Sequence, residues 1–127
     1  MHPDILKIIQ IAKDKKFKYV MLNTNGLRIA KDEEFVKELA KFKGRFEIYL
    51  QFDGFSENTF KTIRGVDLRE VKKKAIANLT KYEIPITLVA TIVNGVNDEE
   101  IGEIINLGFN TKYIRGINFQ PLAFLEE

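Results

Sequence analysis

Alternation is the feature of this 127-residue sequence that most limits its fold. Segments whose apolar residues recur at helical spacing take turns with short, nearly continuous apolar runs, from one end to the other. The order reads α-β-α-β-α-β-α-β. Strands separated each time by a helix need crossover connections, so they run parallel and the helices cover the sheet. The expected class is α/β: a parallel sheet of about four strands alternating with helices.

The first helix places Pro3 at a first helical position and Ile5, Ile8, Ile9 and Ala12 at helical spacing, with Lys13, Lys15 and Lys16 toward its end, where positive charge suits the dipole. Residues 18–22 read as a short buried strand that stops at the turn signal Asn23-Thr24-Asn25-Gly26. A helix over 32–42, N-capped by Asp32, carries Phe35, Leu39 and Phe42 on one face, with Gly44 at its C-terminal cap. Residues 46–52 form a strand ending at Asp53-Gly54, and Ser56 caps a short helical turn through Phe60. Asp67-Leu68-Arg69-Glu70 has capping-box spacing and opens a helix with Leu68, Val71, Ala75, Leu79 and Tyr82 on one face. Its Lys72-Lys73-Lys74 run is assigned to solvent. Pro85 ends that helix, and residues 86–93 form a β-branched strand ending at Asn94-Gly95. Residues 97–100 cap a helix with Ile101, Ile104 and Ile105 inward and Gly108 near its end. A last strand over 113–119 runs into Gln120-Pro121. Leu125-Glu126-Glu127 departs from the pattern and reads as a vector-derived scar, as does Met1, leaving one domain over 1–124.

Composition narrows the chemistry. The chain has no cysteine and a single histidine, His2, which reads most simply as a cap or loop residue. Disulfides, thiol catalysis and thiolate-held metals are excluded within it, and a Ser-His-Asp triad has no well-placed histidine. Twenty Lys+Arg against eighteen Asp+Glu leave a formal charge of +2, too even to point to nucleic acid or a membrane surface. No apolar run reaches the ~20 residues of a membrane span and no signal-peptide pattern opens the chain, so the expected location is cytoplasmic. Neither GxGxxG nor GxxxxGK[ST] occurs, which disfavours a dinucleotide or P-loop site.

Each strand runs into a small or polar segment: Thr24-Asn25-Gly26, Asp53-Gly54, Asn94-Gly95 and Gln120-Pro121. In parallel α/β architectures the strand C-termini share one face, and ligands bind there. Turns need Gly and Asn in any case. Polar residues within the strand ends, Gln51, Thr91, Asn118 and Gln120, strengthen the ligand reading of the set. Asp53 could serve as a base, a metal ligand or an acceptor for a sugar hydroxyl, or simply as a turn or N-cap residue. Phe42, Phe46, Tyr49 and Phe52 are assigned to the core, and Phe55 and Phe60 are left open near the polar face. These residues describe half of a parallel α/β barrel with a polar ligand face, and no reaction.

The strand ends resemble, in order and spacing, the later part of a radical S-adenosylmethionine (radical SAM) core. Leu22-Asn23-Thr24-Asn25-Gly26 is similar to the family's TNG strand end. Tyr49-Leu50-Gln51-Phe52-Asp53-Gly54 is similar to its SxDG strand end, with Gln51 for Ser. The segment from Thr91 to Asp98 resembles GxIxGxxE, with Thr91 for Gly, Val93 for Ile and Asp98 for Glu, and His2-Pro3-Asp4 resembles the residues that follow GGEP. Asn94-Gly95-Val96-Asn97-Asp98 with the stretch from Arg115 to Pro121 resembles the branch of archaeal pterin-methylation and tetraether-lipid enzymes, neighbours of the molybdenum-cofactor cyclisation enzymes.

The resemblance implies a partial TIM-like (βα)6 barrel. It implies S-adenosylmethionine (SAM) and a 4Fe-4S cluster as cofactors of a parent enzyme acting on an unknown small molecule. Thr24 and Asn25 would lie near the methionyl end of SAM, and Gln51 and Asp53 near its ribose or carboxylate. Val93 and Asn94 would flank the adenine, Thr91 counts among the cofactor-binding residues, and Asn118 and Gln120 would face cofactor or substrate. The CxxxCxxC loop and the GGE strand end are missing, so this piece alone is expected to be inactive and unable to hold the cluster. Its unpaired sheet edge is expected to drive self-association. Two other readings stay open: a small α/β protein binding a nucleotide or phosphate ligand, and a non-catalytic interaction module.

Overall fold

A computed structural model describes residues 3–15, 19–42 and 44–122. His2, Lys16, Lys18 and the 125–127 tail, for which expectations are given above, lie outside the described residues. The element order is α1 (Ile5–Asp14), β1 (Val20–Thr24), α2 (Leu27–Lys31), α3 (Glu33–Ala40), β2 (Phe46–Gln51), α4 (Glu57–Arg64), α5 (Arg69–Lys81), β3 (Ile86–Ile92), a 3₁₀ turn Asp98–Glu100, α6 (Ile101–Asn110) and β4 (Ile114–Pro121). The four strands form one parallel sheet in the order β1-β2-β3-β4. Sequential parallel strands joined by right-handed crossovers place every connecting helix on the same side. The result is a segment of a barrel wall, the α/β class expected.

Registry sorts the side chains into two faces. Leu22, Ile48 and Ile86 lie in one cross-strand row and Leu50 pairs with Leu88; all are buried under the helices. Ile29, Val36, Leu39, Ala75, Leu79 and Ile104 supply the helical half of that core. The intervening residues, Asn23, Tyr49, Gln51, Val89, Asn118 and Gln120 among them, face the uncovered side and are half-buried or exposed.

Several local expectations are corrected. β1 does not stop before Asn23; it continues through Asn23 and Thr24, which pair with Tyr49 and Leu50. α2 went unread, because five residues without a side-chain cap leave no periodic signature. Its start needs glycine: Gly26 has φ +88°, and a Cβ there would meet Leu50 Cδ1 at 2.8 Å and Ala75 Cβ at 3.2 Å. α4 runs to Arg64, beyond the short turn expected, and Gly65 closes it in the left-handed region. Asp67 is not the N-cap of α5; Leu68 holds that position, and Asp67 Oδ1 accepts from Arg69 N at 3.1 Å. Lys41 holds the C-cap of α3 in place of Gly44. Ile105 faces outward on α6, while Ile104 is buried. The caps at Asp32 and Ser56 are as expected, accepting from Phe35 N and Thr59 N.

Candidate functional site

The strand C-termini meet on the uncovered side. A cavity of about 500 Å³ is lined by Asn23, Thr24, Asn25, Tyr49, Gln51, Val89, Asn118 and Gln120, residues drawn from β1, β2, β3, β4 and the β1–α2 loop. Five of the nine residues singled out in the sequence therefore share one cavity: Thr24, Asn25, Gln51, Asn118 and Gln120. Thr24 Oγ1 accepts from Gly26 N at 3.0 Å and Asn25 Oδ1 accepts from Leu27 N at 3.0 Å, which hold the loop in its turn. Tyr49, assigned to the core from sequence, is half-buried on the cavity wall. The apolar aromatics Phe46, Phe52 and Phe60 are buried.

Asp53 lies beneath that surface, 0% exposed. Its Oδ2 accepts from Arg64 Nε at 2.7 Å and its Oδ1 from Arg64 Nη2 at 3.1 Å and Thr91 N at 3.0 Å. The direct ligand contact expected of Asp53 is thus taken up inside the protein. Arg64, whose side chain is 25% exposed, is what the carboxylate presents upward. Arg64 Nη2 also donates to Thr91 Oγ1 at 3.3 Å. With the Gln51 amide turned so that Oε1 faces the guanidinium, Oε1 accepts from Nη1 at 2.9 Å and Nη2 at 2.7 Å. Sequence reading missed Arg64 because the helix carrying it was ended four residues early; its place just before Gly65 was the available signal.

Asn97 was expected to cap a helix, yet it is fully buried and locks two strand ends together. Its Oδ1 accepts from Val93 N at 2.7 Å, and its Nδ2 donates to Asp53 O and Thr91 O, each at 2.7 Å. Glu100 does comparable work one turn later, accepting from Phe55 N at 2.6 Å, from Ser56 N at 3.0 Å and from Thr59 Oγ1. Asp98 Oδ1 accepts from Gly95 N at 2.8 Å and shapes the same loop. Val93 is buried and Asn94 exposed, and neither lines the cavity.

Lys72 corrects the assignment of its run to solvent. It is 1% exposed and its Nζ donates to Asn25 O, tying α5 to the cavity loop. Burial lowers its pKa to about 8, with Asp53 acting to raise it and Arg64 to lower it. A cation whose folded pKa lies below its unfolded value penalises the folded state at low pH, and that penalty fades as pH rises from about 8 toward 10.5. Wild-type stability is expected to gain on the Lys72→Met variant over that window, by at most about 3 kcal/mol, in urea unfolding at pH 7.5 and 10. Parallel curves would show that Lys72 does not titrate there.

A family model for the Radical SAM superfamily matches residues 1–108. The chain belongs to the radical SAM superfamily. It is 43% identical over 123 residues to the 7,8-dihydro-6-hydroxymethylpterin dimethyltransferase of Methanocaldococcus jannaschii, covering 95% of this chain and 24% of that protein. It is 32% identical over 125 residues to the GTP 3′,8-cyclase of Clostridium botulinum, covering 94% and 37%. A probable GTP 3′,8-cyclase of Thermococcus kodakarensis is 32% identical over 111 residues, covering 85% and 34%. The chain thus spans about a quarter to a third of the length of these curated relatives.

The cavity fits the radical SAM cofactor in kind: its amide and hydroxyl groups suit an adenosine, and its wall residue Gln51 is hydrogen-bonded to Arg64. For the cluster the chain offers no thiolate, having no cysteine. Among the described residues no helix is long and apolar enough to cross a membrane.

Proposed function

We propose that this chain forms the SAM-binding wall of a larger radical SAM enzyme. The observation that carries this reading is the convergence of Thr24, Asn25, Gln51, Asn118 and Gln120 on one cavity at the strand C-termini. Arg64, set by Asp53, holds Gln51, the cavity residue assigned to the methionyl carboxylate. Thr24 and Asn25 lie toward the methionyl amine, and Asn118 and Gln120 close the opposite wall. Val93 and Asn94 lie outside that cavity, and only the motif they belong to assigns them to the adenine end. None of these groups transfers an electron or a proton; they bind and orient. SAM and a reduced iron–sulfur cluster held elsewhere in the enzyme supply the radical chemistry, which begins with reductive cleavage of SAM. The names of the relatives support a small heterocyclic substrate, a pterin or GTP, in the branch of pterin methylation and molybdenum-cofactor synthesis. This chain by itself is inactive.

The test is a titration of the ¹⁵N-labelled chain with S-adenosylhomocysteine. Backbone shifts are expected at 24, 25, 51, 118 and 120, with weak affinity, on the order of millimolar, because the cluster is absent. Arg64→Ala should weaken binding about tenfold, which is about 1.4 kcal/mol. No shifts at these positions with saturating ligand, or shifts confined elsewhere, would remove the reading.

A further inference from the structure

The inward face of α5 carries two polar residues where helical spacing calls for apolar ones. Its buried positions are Lys72, Ala75, Asn78 and Leu79, the three-and-four spacing of a core stripe. Lys72 Nζ donates to Asn25 O, and Asn78 Nδ2 donates to Ile29 O at 2.9 Å. Between them Ala75 packs under Gly26, where an added Cβ would meet the alanine Cβ at 3.2 Å. Successive turns of α5 thus grip residues 25–29, the segment that leads from β1 into α2.

Structure alone accounts for Asn78. Ile29 O belongs to the last turn of a five-residue helix, and such carbonyls lack a partner within the helix. Lys72 is different. Asn25 is exposed, so water can serve its carbonyl. A methionine would fill the place of Lys72 without burying a charge, and burial works against the ammonium there. Among the described residues Lys72 forms no ion pair. The charged groups that act on it are Asp53 and Arg64, which already hold each other. One carboxylate against two cations leaves an excess of positive charge behind the cavity wall.

A chain of bonds leads from that charge into the cavity. The Asn25 carbonyl and the Gly26 N–H belong to one peptide group. Gly26 N donates to Thr24 Oγ1 at 3.0 Å. Accepting that bond leaves the Thr24 O–H to donate, and among the described residues it has no acceptor. Thr24 lines the cavity. Within a low-dielectric interior each bond of such a chain polarises the next.

We propose that Lys72 is a positioning residue for the cofactor. From the helix side of the sheet its ammonium fixes the Asn25–Gly26 peptide. Through that peptide it strengthens the Thr24 hydroxyl as a donor to an acceptor at the methionyl end. The role rests on the reading of the cavity as the SAM site, and it falls on a residue that touches no ligand.

The test compares two ligands on the ¹⁵N,¹³C-labelled chain. S-adenosylhomocysteine carries the methionyl amine and carboxylate; 5′-methylthioadenosine keeps the nucleoside and lacks both. Lys72→Met should weaken the first about tenfold and leave the second unchanged, with no fall in the urea midpoint. In the ligand-free variant the Asn25 carbonyl ¹³C and Gly26 ¹⁵N signals should move upfield, since both lose polarisation. Lys73→Met, one position along and exposed, should change none of these. Equal weakening of both ligands together with a lower urea midpoint would make Lys72 a structural prop and overturn the proposal. Unmoved Asn25 and Gly26 signals would also overturn it. The wild-type chain gives a readout that needs no variant to fold. Its Lys72 ammonium protons should exchange slowly enough to be seen by NMR, unlike those of Lys73, and equal exchange would overturn the hold on Asn25. A wild type without any response to S-adenosylhomocysteine removes the cavity reading, and this role with it. A wild type that responds and a Lys72→Met variant that responds equally remove only the role of Lys72.

Discussion

Asp53→Ala is expected to lower the unfolding free energy by about 3 kcal/mol. The carboxylate is fully buried and serves three donors, two on Arg64 and the Thr91 N–H. Its removal leaves a guanidinium partly inside the protein without its counter-charge, and a strand N–H without its acceptor. Among the described residues, Gln51 and the Thr91 hydroxyl are then left to hold Arg64. The chain is short enough for two-state analysis, so urea unfolding followed by circular dichroism measures the loss. Pairing the substitution with Arg64→Met should recover part of it, because the second change removes the uncompensated charge. A loss below about 1 kcal/mol, the range of an exposed ion pair, or strict additivity in the double variant, would mean that the pair is not the buried anchor described here.

Asn97→Ala should be equally damaging, at about 3 kcal/mol. Three hydrogen bonds of 2.7 Å vanish together, and the partners, Val93 N, Asp53 O and Thr91 O, sit at the ends of β2 and β3 where solvent enters poorly. Asn97→Asp distinguishes the donor from the acceptor role. It keeps an acceptor for Val93 N but sets a carboxylate against two carbonyl oxygens, so it should destabilise at least as much as alanine at neutral pH. Amide hydrogen exchange at Val93 gives a local readout: protection should fall sharply in the alanine variant and less in the aspartate variant. Equal stability of the wild type and either variant would show that the strand ends are held by other contacts.

Much of the architecture was legible in the residues. The alternation of helical spacing with apolar runs requires crossovers, and crossovers require a parallel sheet. Polar residues within the strand ends, Gln51, Thr91, Asn118 and Gln120, already strengthened the reading of a ligand face at the strand C-termini. The family motifs identified the strand ends in order without any coordinates. Such signals are local, extending over a few residues of one element.

What the sequence left undecided depended on contacts between distant segments. Lys72 and Lys73 are chemically the same residue one position apart, yet one reaches the carbonyl of Asn25 from the buried side of α5 while the other is exposed. Asp53 reads as a strand-end acid open to a ligand until Arg64, eleven residues on, and the backbone of β3 claim both its oxygens. Asn97 reads as a helix cap until the ends of β2 and β3 close around its amide. The sequence by itself determined the class of fold, the strand order of the motifs and the side on which a ligand would lie, because hydrophobic periodicity and turn chemistry act along the chain. Only the tertiary structure decided which polar groups face the cavity and which are consumed in holding it, because burial and hydrogen-bond partnership are properties of segments brought together by the packed sheet and helices.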